Sequence, residues 1–125
     1  MMINIALVED HYPFRQALAL MLEREPDLEV SEQAGSLAEA RHCDLDSTDV
    51  AIIDIFLPDG DSVELIRQLG EQQARPRVIA LTANFDPEVH QRARQAGADE
   101  VLTKDELFEE VISIIRRLAN RSGWG

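Results

Sequence analysis

Residues 50–60 read Val-Ala-Ile-Ile-Asp-Ile-Phe-Leu-Pro-Asp-Gly. Four apolar residues run up to a carboxylate at Asp54, and Pro58-Asp59-Gly60 then marks a turn. A run so short and so continuously apolar fits a strand covered on both faces, as parallel sheets require. The pattern recurs on either side. Ile3–Val8 runs up to Glu9-Asp10, residues 78–81 run up to Thr82, and residues 99–103 run up to Lys104. Leu28–Ala34 alternates instead and ends at Ala34-Gly35, with no reactive side chain.

Helical patterns fill the gaps. Phe14, Ala17, Leu18, Met21 and Leu22 form one stripe, with Pro26 just past its end. Ser36-Leu37-Ala38-Glu39 has the spacing of a capping box. Asp61 is placed to cap a helix carrying Val63, Ile66 and Leu69. Asp86-Pro87-Glu88 reads as N-cap, first helical position and acidic first turn, for a helix with Val89, Ala93 and Ala96 that Gly97 ends. The last helix, about 105–119, shows Leu107, Phe108, Val111, Ile112, Ile115 and Leu118. Five strands alternate with five helices. That predicts an α/β, doubly wound, five-stranded parallel sheet, for which 2-1-3-4-5 is the common small strand order.

The chain has 125 residues, 45% hydrophobic and 29% charged, which suits one globular domain. No internal repeat or linker divides it; residues 1–120 are expected to form the domain and 121–125 a tail or the start of a linker. No apolar run approaches the ~18 residues of a membrane span, and the start lacks the basic and apolar segments of a leader. The single cysteine, Cys43, excludes an internal disulfide and fits a reducing, cytoplasmic setting. Net charge is −12, and 14 of the 24 acids but 3 of the 12 bases precede Val63. Such a field repels phosphate backbones and anionic membranes and gathers cations. Neither nucleic acid nor membrane is therefore expected to bind this chain directly. Among the bases stand eleven arginines and one lysine, Lys104.

Ligands of doubly wound sheets bind beyond the carboxyl ends of the strands. There this sequence would gather Glu9, Asp10, Asp54, Thr82 and Lys104. Each alone has a plain structural reading: an acid pair as a helix cap, an aspartate in a turn, a strand threonine, a solvated lysine. Together they define a chemistry. Two carboxylates ~4 Å apart repel by roughly 4 kcal/mol at an effective dielectric of 20. Three so placed need a cation or a raised pKa; a hard ion such as Mg²⁺, which takes one or two carboxylates and keeps room for a phosphate, is the natural answer. An aspartate beside that ion can attack phosphorus to give an aspartyl phosphate, while Lys104 and the Thr82 hydroxyl neutralise the transferred oxygens.

Leu7-Val8-Glu9-Asp10-His11, Asp54-Ile55-Phe56-Leu57-Pro58, Ala80-Leu81-Thr82-Ala83 and Val101-Leu102-Thr103-Lys104-Asp105 resemble a bacterial response-regulator receiver domain over about residues 2–120. Ala96-Gly97-Ala98-Asp99 also fits, and Phe14-Arg15 with Lys104-Asp105 is similar to the NarL/FixJ-like subfamily. The resemblance implies a flavodoxin-like fold with Asp54 as phosphoacceptor. Asp10 would bind metal directly and Glu9 mainly through water. The Phe56 backbone carbonyl would add a ligand to Mg²⁺ (or Mn²⁺). Thr82 and Lys104 would meet the phosphoryl group. It implies a sensor histidine kinase or phosphotransfer protein as donor, and a signalling receiver that modifies itself, not an enzyme acting on other molecules. It also implies an output face on the fourth helix, fifth strand and fifth helix, with Arg92, Arg94, Glu109 and Arg116, suited to a partner or a homodimer. Receivers of this subfamily usually precede a helix-turn-helix domain that regulates transcription, for which these residues leave no room. A stand-alone receiver and a pseudo-receiver used for binding stay open as alternatives. So does a metal-dependent phosphohydrolase, although Phe56 stands where haloacid-dehalogenase-type enzymes carry a second aspartate.

Three departures from the family's pattern stand out. Val101 replaces the usual switch aromatic, so any switch would run through Thr82 and the helix after it. Ser62 replaces a common glycine. Phe56 and Asn84 would flank the attacking water, and a bulky Phe56 is expected to slow self-dephosphorylation.

Overall fold

The computed structural model describes residues 2–73 and 76–120. The expected tail at 121–125 lies outside them. Strands β1 (Ile3–Val8), β2 (Leu28–Ala34), β3 (Val50–Asp54), β6 (Arg77–Thr82) and β7 (Glu100–Thr103) form one sheet in the order β2-β1-β3-β6-β7, with every pairing parallel. Counted within that sheet, this is the expected 2-1-3-4-5. A separate two-residue hairpin, β4 (Phe56–Leu57) and β5 (Gly60–Asp61), follows β3. It occupies the turn expected at Pro58-Asp59-Gly60, where Gly60 adopts φ 138°.

Two apolar layers sandwich the sheet, because successive strand residues point to opposite faces. Ile5, Leu7, Ile52, Ile79, Leu81 and Leu102 face α1 (Tyr12–Glu23) and α5 (Lys104–Ala119). Ala6, Val8, Ala51, Ile53, Ala80 and Val101 face α2 (Leu37–Ala40), α3 (Val63–Gly70) and α4 (Pro87–Ala96). Strands β3 and β6 are almost wholly buried, which is why they read as unbroken apolar runs. No helix among the described residues is long and apolar enough to cross a membrane.

Several local expectations are corrected. Ala19, not Ala17, is buried on α1. The Ser36 hydroxyl accepts from the Glu39 amide at 3.1 Å, but the Glu39 carboxylate reaches back to Gly35 N–H instead of closing the box. The N-cap of α3 is Ser62; Asp61 still accepts from Val63 N–H at 3.1 Å through its side chain. Strand β7 starts at Glu100, because Asp99 turns its carboxylate onto the Val78 amide at 2.9 Å. Helix α5 starts at Lys104, one residue early, since Thr103 and Glu106 form a complete capping box. Arg116 does not lie on the expected output face. Its guanidinium spans Asp27 and Glu25 in the α1–β2 connection, at 2.8–3.1 Å, and holds the Asp27 carboxyl below its ordinary pKa.

Candidate functional site

The carboxyl ends of β1, β3, β6 and β7 deliver the expected residues to one edge of the sheet. Glu9 follows β1 and is buried, with 1% exposure, while Asp10 beside it is open to water. Asp54 ends β3 and is also buried. Oxygen atoms of Glu9, Asp10 and Asp54 lie within 4.8 Å of one another. Lys104 reaches over from the first position of α5, its Nζ 2.6 Å from Glu9 Oε1 and 3.0 Å from Asp54 Oδ2.

Each anchor has a local cause. Glu9 Oε2 accepts from His11 N–H at 2.9 Å, so the carboxylate folds back over the start of α1, which has no side-chain cap of its own. Glu9 Oε1 is met by the Lys104 ammonium alone among the described residues. Asp54 Oδ1 accepts from Phe56 N–H at 3.2 Å. Arg15 donates to the Glu9 carbonyl at 2.7 Å and to Gln33 at 3.1 Å, fixing the turn after β1 to the end of β2.

The electrostatics follow from burial and crowding. Burial pushes the Glu9 carboxyl above its ordinary pKa; the Asp54 charge adds to this, while the His11 amide and Lys104 oppose it. Burial also works to lower the Lys104 pKa, but the bonds to Glu9 and Asp54 outweigh it and the ammonium is held more tightly protonated. One ammonium cannot balance three carboxylates. An all-oxygen donor set with one member open to water is the kind that a hard divalent cation takes. Glu9, Asp10 and Asp54 therefore fit a metal of the Mg²⁺ type.

Thr82 is buried at the end of β6, with its hydroxyl turned to the Asn84 carbonyl at 3.1 Å. Its side chain is thus engaged in the loop before α4. Phe56 presents its amide to Asp54, and its ring is 53% exposed. Phe56, Thr82 and Asn84 line one shallow cavity with Ala83, Asp86 and Val89. Val101 is buried against α4.

Three contributors escaped the sequence reading. Phe14, which the sequence offers in an apolar stripe and in the Phe14-Arg15 pair but with no role at the site, sets its ring 5.2 Å from Lys104 Nζ. Phe108 packs edge-on against Phe14. Ser62 sits fully buried behind Asp54. For Thr103-Lys104-Asp105-Glu106 a signal did exist, since the spacing is that of a capping box; it fixes where α5 begins and hence where Lys104 stands.

Residues 5–116 match the response regulator receiver domain family, and the chain belongs to it. It is 37% identical over 105 residues to the DNA-binding transcriptional activator DevR/DosR of Mycobacterium tuberculosis, covering 83% of this chain and 48% of that protein. It is 31% identical over 116 residues to the transcriptional regulatory protein LiaR of Bacillus subtilis, covering 92% and 55%. A two-component response regulator of the LuxR family from Aurantimonas sp. SI85-9A1 shares the fold, with a TM-score of 0.86 at 24% identity over 97% of this chain and 87% of that one. The chain thus spans about half the length of these curated relatives, and its place is that of a signalling receiver module.

Proposed function

We propose that Asp54 is the phosphoacceptor of this receiver. The observation that carries the reading is the joint contact of Lys104 with Glu9 at 2.6 Å and Asp54 at 3.0 Å, beside a third carboxylate. An Asp54 carboxylate oxygen attacks phosphorus, and the bond from phosphorus to the donor's nitrogen or oxygen breaks with its electron pair leaving on the donor. No proton transfer by Asp54 is needed. Mg²⁺ would be held by Asp10, Asp54 and the Phe56 carbonyl, with Glu9 acting mainly through water, and would supply charge neutralisation at the transferred oxygens. Lys104 already stands at Asp54 and supplies the balancing positive charge. Thr82 releases Asn84 and turns to the new oxygens, which draws the loop before α4 with it and biases the equilibrium of that helix.

The donor we infer is a sensor histidine kinase or phosphotransfer protein in the cytoplasm, with acyl phosphates as small substitutes. The two curated relatives named above are transcriptional regulators, and control of transcription is the downstream role we assign to the whole protein. The α4–β7–α5 face is the proposed contact for a partner or a second copy.

The test is labelling by acetyl phosphate with and without Mg²⁺, read by intact-protein mass spectrometry. The expected result is one added phosphoryl group, dependent on Mg²⁺ and absent in Asp54→Asn. No label in the wild type leaves a pseudo-receiver. Steady turnover of a phosphomonoester would instead favour a phosphohydrolase.

A further inference from the structure

Among the described residues, the ammonium of Lys104 meets two carboxylates and one aromatic ring. Besides Glu9 and Asp54, it lies 5.2 Å from the centre of the Phe14 ring. Phe14 is half-buried on α1. Its ring meets Phe108 edge-on, with centroids 5.3 Å apart and planes at 76°. Phe108 is four residues after Lys104 on α5, so the two stand one turn apart on the same helix face. The lysine and the two rings therefore form one cluster joining α1 to the first turns of α5.

A cation within about 6 Å of an aromatic face is attracted by the ring's quadrupole, and more strongly when desolvated. Lys104 is only 25% exposed, so much of its solvent shell is already gone. The ring offers what a third carboxylate would not. It attracts weakly and without a fixed direction. The ammonium can then shift toward new oxygens on Asp54 without first breaking a third ion pair. The ring also keeps water from that side of Nζ. Phe108 is 39% exposed and meets the Phe14 ring edge-on, an arrangement aromatic pairs favour.

We propose that Phe14 is a positioning residue for Lys104: its ring, braced by Phe108, holds the ammonium over the Asp54 carboxylate. The kinetic consequence rests on the reading of Asp54 as phosphoacceptor; the contact itself does not.

Two measurements test this separately. Lys104 is the single lysine of the chain, so lysine labelled with ¹³C at Cε gives one methylene signal in folded protein. Its protons are expected upfield from ring current in the wild type, to move toward the free-lysine position in Phe14→Leu, and to stay upfield in Phe14→Tyr. An unchanged signal in Phe14→Leu overturns the proposal. The second measurement is the rate of labelling by acetyl phosphate with Mg²⁺. Phe14→Leu is expected to slow it about fivefold, the scale of one cation–π contact, and Phe14→Tyr to restore it. In a Lys104→Ala background, Phe14→Leu is expected to add no further loss. An equal loss in both backgrounds would mean a general structural role and overturn the positioning role. If the wild type takes no label at all, the phosphoacceptor reading fails, and the methylene signal still decides the contact.

Discussion

The Ser62 hydroxyl donates to the main-chain carbonyl of Asp54 at 2.7 Å, where no solvent reaches it. The Ser62 amide also donates to the Ile55 carbonyl at 2.8 Å. The chain leaving β3 thus loops through the hairpin and is pinned back to its own start. Ser62 has φ −93°, a region open to any residue, so glycine is not required there. Ser62→Ala removes a buried donor and is expected to cost about 1 kcal/mol of folding stability. Urea denaturation of the two proteins checks this; an unshifted midpoint would show that another group takes over the Asp54 carbonyl.

Phe56 and Asn84 share a cavity with Thr82. The Phe56 ring is half exposed, so a polar replacement leaves no void in the core. Phe56→Asn is expected to speed phosphoryl loss several-fold by admitting and orienting water. The decay of phosphorylated wild type and variant, followed by mass spectrometry, decides it. Equal half-lives would refute the shielding role.

A cation bound by the native carboxylates stabilises the fold by mass action. At ten times the dissociation constant the gain is about 1.4 kcal/mol. Mg²⁺ is therefore expected to raise the Tm of the wild type by a few degrees and to leave Asp10→Asn nearly unchanged. Calorimetry with and without the metal measures both. A rise of equal size in the variant would place the cation elsewhere.

Cys43 is half-buried at the groove between α2 and α3, within reach of the Gln33 carbonyl at 3.7 Å. Burial pushes its thiol pKa up to about 11, and the nearby carboxylates Glu32 and Glu39 push the same way. The thiolate is the reactive form. Alkylation by iodoacetamide is thus expected to be slow at pH 8 and to accelerate about tenfold per pH unit toward pH 11 in the folded protein. Rapid labelling at pH 8 without denaturant would contradict this environment.

The elements best read from sequence are those whose residues serve one purpose. Strand β2 is legible at its full length because its alternation mirrors one wetter and one drier face. Helix α4 was found at both ends because Asp86, Pro87 and Gly97 each satisfy a terminus: Asp86 accepts from Glu88 N–H at 3.0 Å, and Gly97 takes φ 121°. The reading failed where a side chain chose a partner distant in sequence. Asp59 gives both carboxylate oxygens to Leu37 and Ala38 N–H, capping α2 from the hairpin, so it is more than a turn residue. Arg116 looks like any solvated arginine until Asp27 is brought beside it. For the site, the charged residues were legible because each ends an apolar run. The roles of Phe14, Phe108 and Ser62 were not, since an apolar stripe gives the same letters as a packed ring, and a serine in a glycine's place gives no sign of a buried clamp.

The carboxylates of β1 and β3 and the lysine after β7 are separated by more than forty residues at each step, and the sheet order interleaves them. No local fragment of the chain can assemble this centre. A copy whose last strand has not docked beside β6 already holds the carboxylates of β1 and β3 but lacks the ammonium that balances them. The proposed competence to react is in this sense a late checkpoint on folding, since the balancing charge arrives only with the last strand and helix.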